Sequence, residues 1–283
     1  MDIPYVYKQT LIKLDNLWLI YQGRTVIRDL CGEIKEVYVP GKVTGQVVGL
    51  LGPSGRGKTQ TLRMLSGLQK PTSGQVLLAD DKGFHPVQTG EVGVVAQNYP
   101  LFAHRTIMGN LMLAAKAHEP DEKKAEAMVL EGLNNFMLAG GTSAGRAVAN
   151  FYPIQLSGGE RQRVAILQML ICREQFILLD EPFASLDLIN IEIALQTISH
   201  AASLNELNTF IVITHDVTAA VSICDNIWLL GYEKDEQGNA IPGARIVKTY
   251  DLLERGLCYE PGIITSPKAV DTIREIKEEF RLL

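Results

Sequence analysis

Residues 52–59 place two glycines, a lysine and a hydroxyl residue at the spacing G-x-x-x-x-G-K-[ST]. Glycines there let backbone N–H groups converge on phosphate oxygens, and the N-terminus of a following helix adds a favourable dipole. We expect the Lys58 ammonium to reach the β- and γ-phosphates of a nucleotide and the Thr59 hydroxyl to ligate Mg²⁺. A chance match has odds on the order of one in a hundred, which favours a phosphate-binding loop over a glycine-rich turn with an exposed lysine. The candidate loop residues are Gly52, Pro53, Ser54, Gly55, Arg56, Gly57, Lys58, Thr59 and Gln60.

Two adjacent carboxylates follow another apolar run. Asp180 and Glu181 come directly after residues 176–179. Near a phosphate-binding loop, a carboxylate at a strand end holds Mg²⁺ through water, which is the role we expect for Asp180. Glu181 is the candidate for polarising an attacking water. Without the phosphate loop, such a pair would be interpreted as solvated loop charges.

Three short apolar runs must position these side chains: residues 47–51, 176–179 and 210–213. Continuous apolar runs of this length are typical of strands covered on both faces of a parallel sheet. The runs end respectively in the glycine-rich loop, the two carboxylates and a segment containing His215. Because ligands bind at the carboxyl ends of parallel strands, the sequence predicts an α/β fold with one polar edge. A helix is predicted over 61–68, after the loop.

The flanking segments differ from this pattern. Residues 14–30 hold β-like segments broken at Gln22 and Gly23. The segment 31–46 is longer than the usual approach to a phosphate-binding loop, and we interpret its 33–40 portion as a solvated loop.

A mostly helical insertion is predicted over about residues 101–172. Within it, residues 121–138 follow helical spacing, and glycines at 140–141 end the pattern. Near the end, residues 226–230 and 244–250 are candidate strands that flank a polar turn at 233–239, and a last helix is predicted within 266–280. We expect this hairpin and helix to pack on the rest of the chain or to pair with its copy. No linker separates independent units, so residues 1–283 are predicted to form a single domain with a helical subdomain and a C-terminal extension over about 231–283.

The composition excludes several classes of protein. The 283 residues include 27 Lys and Arg against 32 Asp and Glu, a net charge of −5, and 46% are hydrophobic. These values exclude collagen-like, low-complexity and wholly disordered chains. No dense Lys/Arg stripe is present, so we expect no nucleic-acid partner. Four widely spaced cysteines favour reduced thiols, and no apolar run approaches the ~20 residues of a membrane helix, so we expect a cytosolic chain.

Residues 156–163 have the sequence Leu-Ser-Gly-Gly-Glu-Arg-Gln-Arg. Together with the phosphate loop and the Asp180-Glu181 pair, this segment resembles the ATP-binding-cassette (ABC) ATPases, whose signature is LSGGQ. The resemblance extends from about residue 11 to residue 230. It implies a P-loop NTPase fold with a mostly parallel central sheet, an N-terminal antiparallel β subdomain and a helical signature subdomain, and it implies ATP and Mg²⁺ as ligands.

The resemblance also implies roles for individual residues. The adenine-stacking, Q-loop, D-loop and switch positions are occupied by Tyr21, Gln97, Ser185-Leu186-Asp187 and His215. The implied catalytic residues are Glu181, His215 and Gln97, and the implied metal ligands are Thr59, Gln97 and Asp180. The resemblance also implies that Asp187 is one of the nucleotide-binding residues. Outside this combination, Tyr21, Gln97 and His215 would each be interpreted as ordinary packing or loop residues.

By the same resemblance, two cassettes pair head to tail, with each ATP between the phosphate loop of one chain and the signature of the other. Ser157 begins a helix with Gly158 and Gly159, so unpaired N–H groups would meet the γ-phosphate in trans. Closure would then depend on the γ-phosphate, and hydrolysis would release it.

Three positions depart from the family pattern. Glu160 replaces the usual Gln of the signature, but Ser157-x-x-Glu160 is also a capping-box pattern, which turns the carboxylate back towards the backbone of Ser157. Arg56 and Gln60 are less usual in the phosphate loop. Neither position has fixed chemistry, so ATP binding is expected to survive.

Two classes of function remain open. The first is the ATP-hydrolysing subunit of a membrane transporter, with integral-membrane permease subunits, a second identical or paralogous cassette and, for an importer, a solute-binding protein as partners. Asp180-Glu181-Pro182-Phe183 resembles importers of small solutes, and residues 99–113 would dock the permease at the inner face of the membrane. The second is a soluble ABC ATPase in macromolecular or iron–sulfur cluster assembly. A catalytically dead scaffold is disfavoured because the nucleotide motifs are intact.

Overall fold

A computed structural model gives the fold and describes residues 4–136, 138, 148–184, 186–258 and 263–283. The strands of this described chain are β1 (Val6–Tyr21), β2 (Arg24–Tyr38), β3 (Gln46–Leu51), β4 (Ser73–Asp80), β5 (Gly83–Pro86), β6 (Gly93–Val95), β7 (Phe176–Asp180), β8 (Thr209–Thr214), β9 (Asn226–Gly231) and β10 (Arg245–Asp251). Its α-helices are α1 (Lys58–Leu65), α2 (Ile107–His118), α3 (Glu122–Asn135), α4 (Gly158–Ile171), α5 (Leu188–Ser203), α6 (Val217–Ile223) and α7 (Pro267–Leu282).

The central sheet has the strand order β10-β9-β3-β8-β7-β6. All its strand pairs are parallel except β9 with β10. Every residue of β3 and β8 is buried, because successive side chains enter two different cores. Val47 and Leu51 belong to the core shared with the helices, whereas Val48 and Leu50 belong to the core shared with the second sheet. The predicted parallel sheet covered on both faces is therefore confirmed.

The second sheet is antiparallel, with the order β2-β1-β4-β5. Strands β1 and β2 form a hairpin whose turn residues Gln22 and Gly23 have φ values of 49° and 75°. Two consecutive positive φ angles match the right-handed twist of the flanking strands, which explains the glycine at this point. The break predicted at these two residues is confirmed.

The far end of this hairpin explains the long segment before the phosphate loop. The interpretation of residues 33–40 as a solvated loop is wrong, since β2 continues to Tyr38, which pairs with Val6. This arm packs on the C-terminal extension, where Val37, Val39 and Leu253 form a small buried cluster. The Tyr7 hydroxyl also donates a 2.6 Å hydrogen bond to Asp251 Oδ2. The additional strand length is stable because the tail covers it.

Helices α2, α3 and α4 lie within the segment predicted to be helical. Leu111, Val129 and Leu167, one from each helix, belong to the same core as Val47 and Leu51 of the central sheet. Helix α3 is capped by Asp121, whose side chain accepts from Lys124 N. The glycines predicted to end this helical pattern, and Met137 within it, lie outside the described residues.

The predicted C-terminal hairpin and helix are present as β9, β10 and α7. Ser266 caps α7 and Pro267 occupies its first turn, as proline favours. Lys248 of β10 pairs with Glu275 at 3.3 Å and Glu279 at 2.7 Å. No helix of the described residues is long and apolar enough to cross a membrane.

Gln46 joins the hairpin arm to the central sheet, which gives a first testable prediction. Its buried side chain accepts from Val37 N at 3.2 Å and donates to Thr209 Oγ1 at 2.5 Å. Gln46→Leu leaves the Val37 N–H buried without this acceptor and removes one of two hydrogen bonds of Thr209 Oγ1, which still donates to Leu207 O at 3.2 Å. We therefore expect the free energy of unfolding to fall by about 1–3 kcal/mol. Urea denaturation measures this, with exposed Gln75→Leu as the control. Equal stability of the two variants would contradict this role of Gln46.

Candidate active site

The predicted site residues gather at one edge of the central sheet. Strands β3, β8, β7 and β6 are neighbours and run in the same direction, with Leu51 opposite Thr214 and Asp180 opposite Ile213. The segments that follow them are therefore adjacent in space. They carry the phosphate loop, His215, the Asp180-Glu181 pair and Gln97 respectively.

The glycines of the phosphate loop are required by close contacts and by backbone conformation. A Cβ at Gly52 would lie 2.5 Å from Leu230 O of β9. Gly57 has φ +80°, and a Cβ there would lie 2.8 Å from Ile27 Cδ1 of β2. Glycine is required because it has no Cβ to make these close contacts and adopts the positive φ of Gly57 without strain. The loop thus lies between the central sheet and the second sheet and contacts both.

The N-terminus of α1 is open for an anion. Helix α1 begins at Lys58, three residues before the helix predicted over 61–68, and its N-cap Gly57 provides no side-chain hydrogen bond. The other α-helices of the described chain are each capped by a side chain, from Thr106, Asp121, Ser157, Asp187, Asp216 and Ser266. Because the first N–H groups of a helix have no partner within it, α1 offers them to a phosphate.

Lys58 and His215 converge on the carboxylate of Glu181. Lys58 is 9% exposed, donates to Gly52 O at 2.7 Å and lies 3.5 Å from Glu181 Oε1. His215 Nδ1 lies 2.9 Å from Glu181 Oε2. The two predicted catalytic residues Glu181 and His215 are therefore brought into direct contact.

The backbone of Glu181 is in the left-handed region, with φ +46°. A non-glycine residue rarely adopts this conformation, which costs on the order of 1–3 kcal/mol and is concentrated at functional sites. The Glu181 N–H donates to Ile213 O of β8 at 2.8 Å. Strand β8 thus fixes the turn from which the carboxylate faces Lys58 and His215.

The residues proposed for Mg²⁺ provide suitable atoms. Thr59, Asp180 and Gln97 each supply side-chain oxygen, the ligand type that Mg²⁺ prefers. Burial, and then the neighbouring Glu181, raises the pKa of Asp180, while Lys58 partly opposes this effect. A cation beside Asp180 would favour its ionised form. Gln97 is exposed in a turn after β6, closed by the bond from Tyr99 N to Ala96 O at 2.9 Å.

The structure also places Tyr21 of the β1–β2 hairpin and Arg56 of the phosphate loop. Tyr21 ends β1 and is 61% exposed, leaving its ring free to contact a ligand. The Arg56 guanidinium lies 4.2 Å from the centroid of the Tyr232 ring, just after β9. This contact directs the unusual loop arginine onto the C-terminal extension. Sequence reasoning missed Tyr232, because only the pairing of β3 with β9 brings it to the loop.

The signature residues begin α4 rather than following a strand of the central sheet. Both directions of the capping box are present: Ser157 N donates to Glu160 Oε2 at 2.8 Å, and Glu160 N donates to Ser157 Oγ at 3.3 Å. The predicted structural role of Glu160 is confirmed. A Cβ at Gly159 would lie 3.0 Å from Asn190 Oδ1, so the start of α5 packs against the signature.

Asp187 of the predicted D-loop is the N-cap of α5. Its two carboxylate oxygens accept from Asn190 N and Asn190 Nδ2, each at 2.9 Å. These two hydrogen bonds lower the pKa of Asp187. Leu186 precedes it, and a Cβ at Gly158 would lie 3.7 Å from Leu186 Cδ2. Ser185, the remaining predicted D-loop residue, lies outside the described residues.

The capping box gives the second prediction. Glu160→Ala removes the acceptor of Ser157 N, so we expect the unfolding free energy to fall by about 0.5–2 kcal/mol, as in other cap losses. Glu160→Gln keeps an acceptor of the same length and is expected to lose less. Thermal melting of the three proteins measures the difference. An unchanged melting temperature in Glu160→Ala would argue against the cap.

Comparisons with known proteins agree with this fold. The family model described as ABC transporter matches residues 43–184. The chain therefore belongs to the ABC transporter family. Among solved structures, it resembles cbiO1 from Clostridium perfringens, part of an ABC transporter complex, at TM-score 0.70 and 21% identity, covering 97% of both chains. It also resembles the dimeric post-hydrolysis state of an ATP-binding cassette bound to ADP and Pi, at TM-score 0.64 and 25% identity, covering 86% of this chain and 99% of that one.

Curated relatives are import ATP-binding proteins. The chain is 36% identical over 197 residues to the sulfate/thiosulfate import ATP-binding protein CysA of Synechococcus elongatus, covering 69% of this chain and 54% of that protein. It is 37% identical over 218 residues to the spermidine/putrescine import ATP-binding protein PotA of Spiroplasma citri, covering 77% of this chain and 58% of that protein. The chain thus spans little more than half the length of these relatives.

Proposed function

We propose that this chain is an ATP-binding and ATP-hydrolysing subunit that energises a membrane transporter, for import of a small solute. The observation that carries the proposal is the Glu181 carboxylate held between Lys58 and His215, beside the uncapped N-terminus of α1. The import ATP-binding relatives support the transport role.

ATP binding would use the loop and the start of α1. The backbone N–H groups of Lys58, Thr59 and Gln60 would face the phosphates, since Thr61 N already donates to Gly57 O. The Lys58 ammonium would exchange its bond to Gly52 O for one to a phosphate oxygen. Tyr21 would stack on the adenine. When bound, Mg²⁺ would neutralise phosphate charge, held by Thr59, Asp180 and Gln97.

Hydrolysis would use Glu181 as the general base. One carboxylate oxygen accepts a proton from the water that attacks the γ-phosphate, while His215 holds the other oxygen and fixes its direction. The negative charge that develops on the phosphate is met by Lys58 and the α1 N–H groups. Lys58 and the α1 N–H groups would therefore serve both binding and hydrolysis, whereas Glu181 and His215 would serve hydrolysis.

The proposal includes partners. A second cassette would contribute Ser157, Gly158 and Gly159 across the nucleotide in a head-to-tail pair. The similar structure bound to ADP and Pi is a dimer, which supports pairing of two cassettes. Permease subunits, and a solute-binding protein for an importer, complete the proposed assembly. The chain would then act in the cytoplasm, peripheral on the inner face of the cell membrane.

Removing the proposed base gives the third prediction. Glu181→Gln keeps the shape of the side chain but cannot take the proton, so we expect kcat to fall by at least ~100-fold with ATP affinity retained. The variant should accumulate as an ATP-bound dimer. Phosphate release and size-exclusion chromatography with ATP measure the two effects. Near-normal turnover would remove Glu181 from this role.

Removing the loop lysine gives the fourth prediction. Lys58→Ala loses the buried ammonium that the loop directs towards phosphate, so we expect ATP binding itself to be lost. Titration with labelled nucleotide measures it, and exposed Lys70→Ala is the matched control. Equal affinity in the two variants would contradict the role of Lys58.

Transport coupling is tested by purifying Glu181→Gln with ATP from gently solubilised native membranes and identifying its partners by mass spectrometry. A stoichiometric multi-pass membrane protein is the expected result. Recovery of soluble partners alone, with ATPase activity intact in the wild-type chain, would favour an ABC ATPase in macromolecular or iron–sulfur cluster assembly instead.

A further inference from the structure

The carbonyl oxygen of Pro182 accepts two buried hydrogen bonds. The Tyr99 hydroxyl donates to it at 3.2 Å, and Gln162 Nε2 donates at 3.1 Å. Pro182 directly follows Glu181 and lies in a tight turn closed by the bond from Ala184 N to Glu181 O at 3.1 Å. Both lone pairs of the Pro182 carbonyl oxygen therefore accept hydrogen bonds, and Pro182 is the residue next to the proposed base Glu181.

The two donors come from different parts of the fold. Tyr99 also donates its backbone N–H to Ala96 O, which closes the turn displaying Gln97. Gln162 lies on α4, one turn after the signature residues, and is 1% exposed. Its Oε1 has no hydrogen-bond partner among the described residues. The orientation of the amide is nevertheless defined. Flipping it would replace Nε2 with Oε1 and bring two acceptors, Oε1 and the Pro182 carbonyl oxygen, into contact.

We propose that Tyr99 and Gln162 are positioning residues for Glu181, acting through the Pro182 carbonyl. This inference rests on the proposed role of Glu181 as the base. Rotation of the Pro182 peptide would change the turn that holds Glu181 at φ +46° and shift its carboxylate from Lys58 and His215. Hydrolysis consequently depends on the positions of the Gln97 turn and of the signature helix together.

Tyr99→Phe tests the first donor, because it deletes one hydroxyl and keeps the buried ring. We expect kcat for ATP to fall about tenfold, less than the ~100-fold of a full 1 Å misplacement, while the Kd for ATP stays unchanged. Loss of the buried hydrogen bond should lower the melting temperature only slightly, so that the variant stays fully folded at the assay temperature. Tyr38→Phe, in the hairpin arm, is the control and should behave as wild type.

Gln162→Glu tests the second donor through its pH profile. A carboxylate cannot donate to Pro182 O, whereas the protonated acid can, and burial raises the pKa of a glutamate placed there. The ratio of variant to wild-type kcat should therefore rise as pH falls from 8 to 6. Burial raises the pKa of Tyr99 to about 12, so its hydroxyl remains a donor throughout. Gln168→Glu, on the same helix, is the control with a flat ratio.

The inference is overturned if Tyr99→Phe keeps wild-type kcat, if its loss of kcat is matched by weaker ATP binding or by unfolding at the assay temperature, or if the Gln162→Glu ratio is independent of pH. Failure of the proposed function looks different. A wild-type chain without ATPase activity, or normal turnover by Glu181→Gln, would contradict the base itself.

Discussion

The site depends on one constraint, the left-handed backbone of Glu181. This conformation is unfavourable by itself, so the surrounding structure must hold it. Ile213 O of β8 accepts from the Glu181 N–H, and the Pro182 carbonyl is held from the other side of the turn. The carboxylate can then face Lys58 and His215 at once. Any change in the spacing of β7 and β8 would reach this turn directly.

The parallel sheet and much of the site were predictable from the sequence for a physical reason. Uniform burial of β3 and β8 leaves a continuous apolar run, and the polar edge follows from parallel strand direction. The phosphate-binding loop is a local pattern, so its spacing alone predicts it. The Ser157–Glu160 capping box is equally local, and the structure forms it as predicted.

Features that depend on distant contacts were not predictable. Residues 33–38 lie in β2 because Val37 packs on Leu253, more than two hundred positions away. Likewise, nothing in the polar loop around Arg56 signals Tyr232, and nothing near Tyr99 signals Pro182. In each case the sequence does not show which strands and turns are neighbours in space. The order of strands in the sheet determines these neighbours.

The two helices proposed to contact phosphate begin in opposite ways, and the difference follows from what each must do. Helix α1 has no side-chain cap, and its first internal bond is from Thr61 N to Gly57 O, so several N–H groups stay available within the chain. Helix α4 is closed by Ser157 and Glu160, which leaves the N–H groups of Gly158 and Gly159 at its tip. An uncapped helix is less stable without its ligand, whereas a capped one keeps its shape when the ligand is absent. An open α1 suits a site that binds nucleotide within one chain. A capped α4 suits a surface that must persist, preformed, until a second chain brings the phosphate to it.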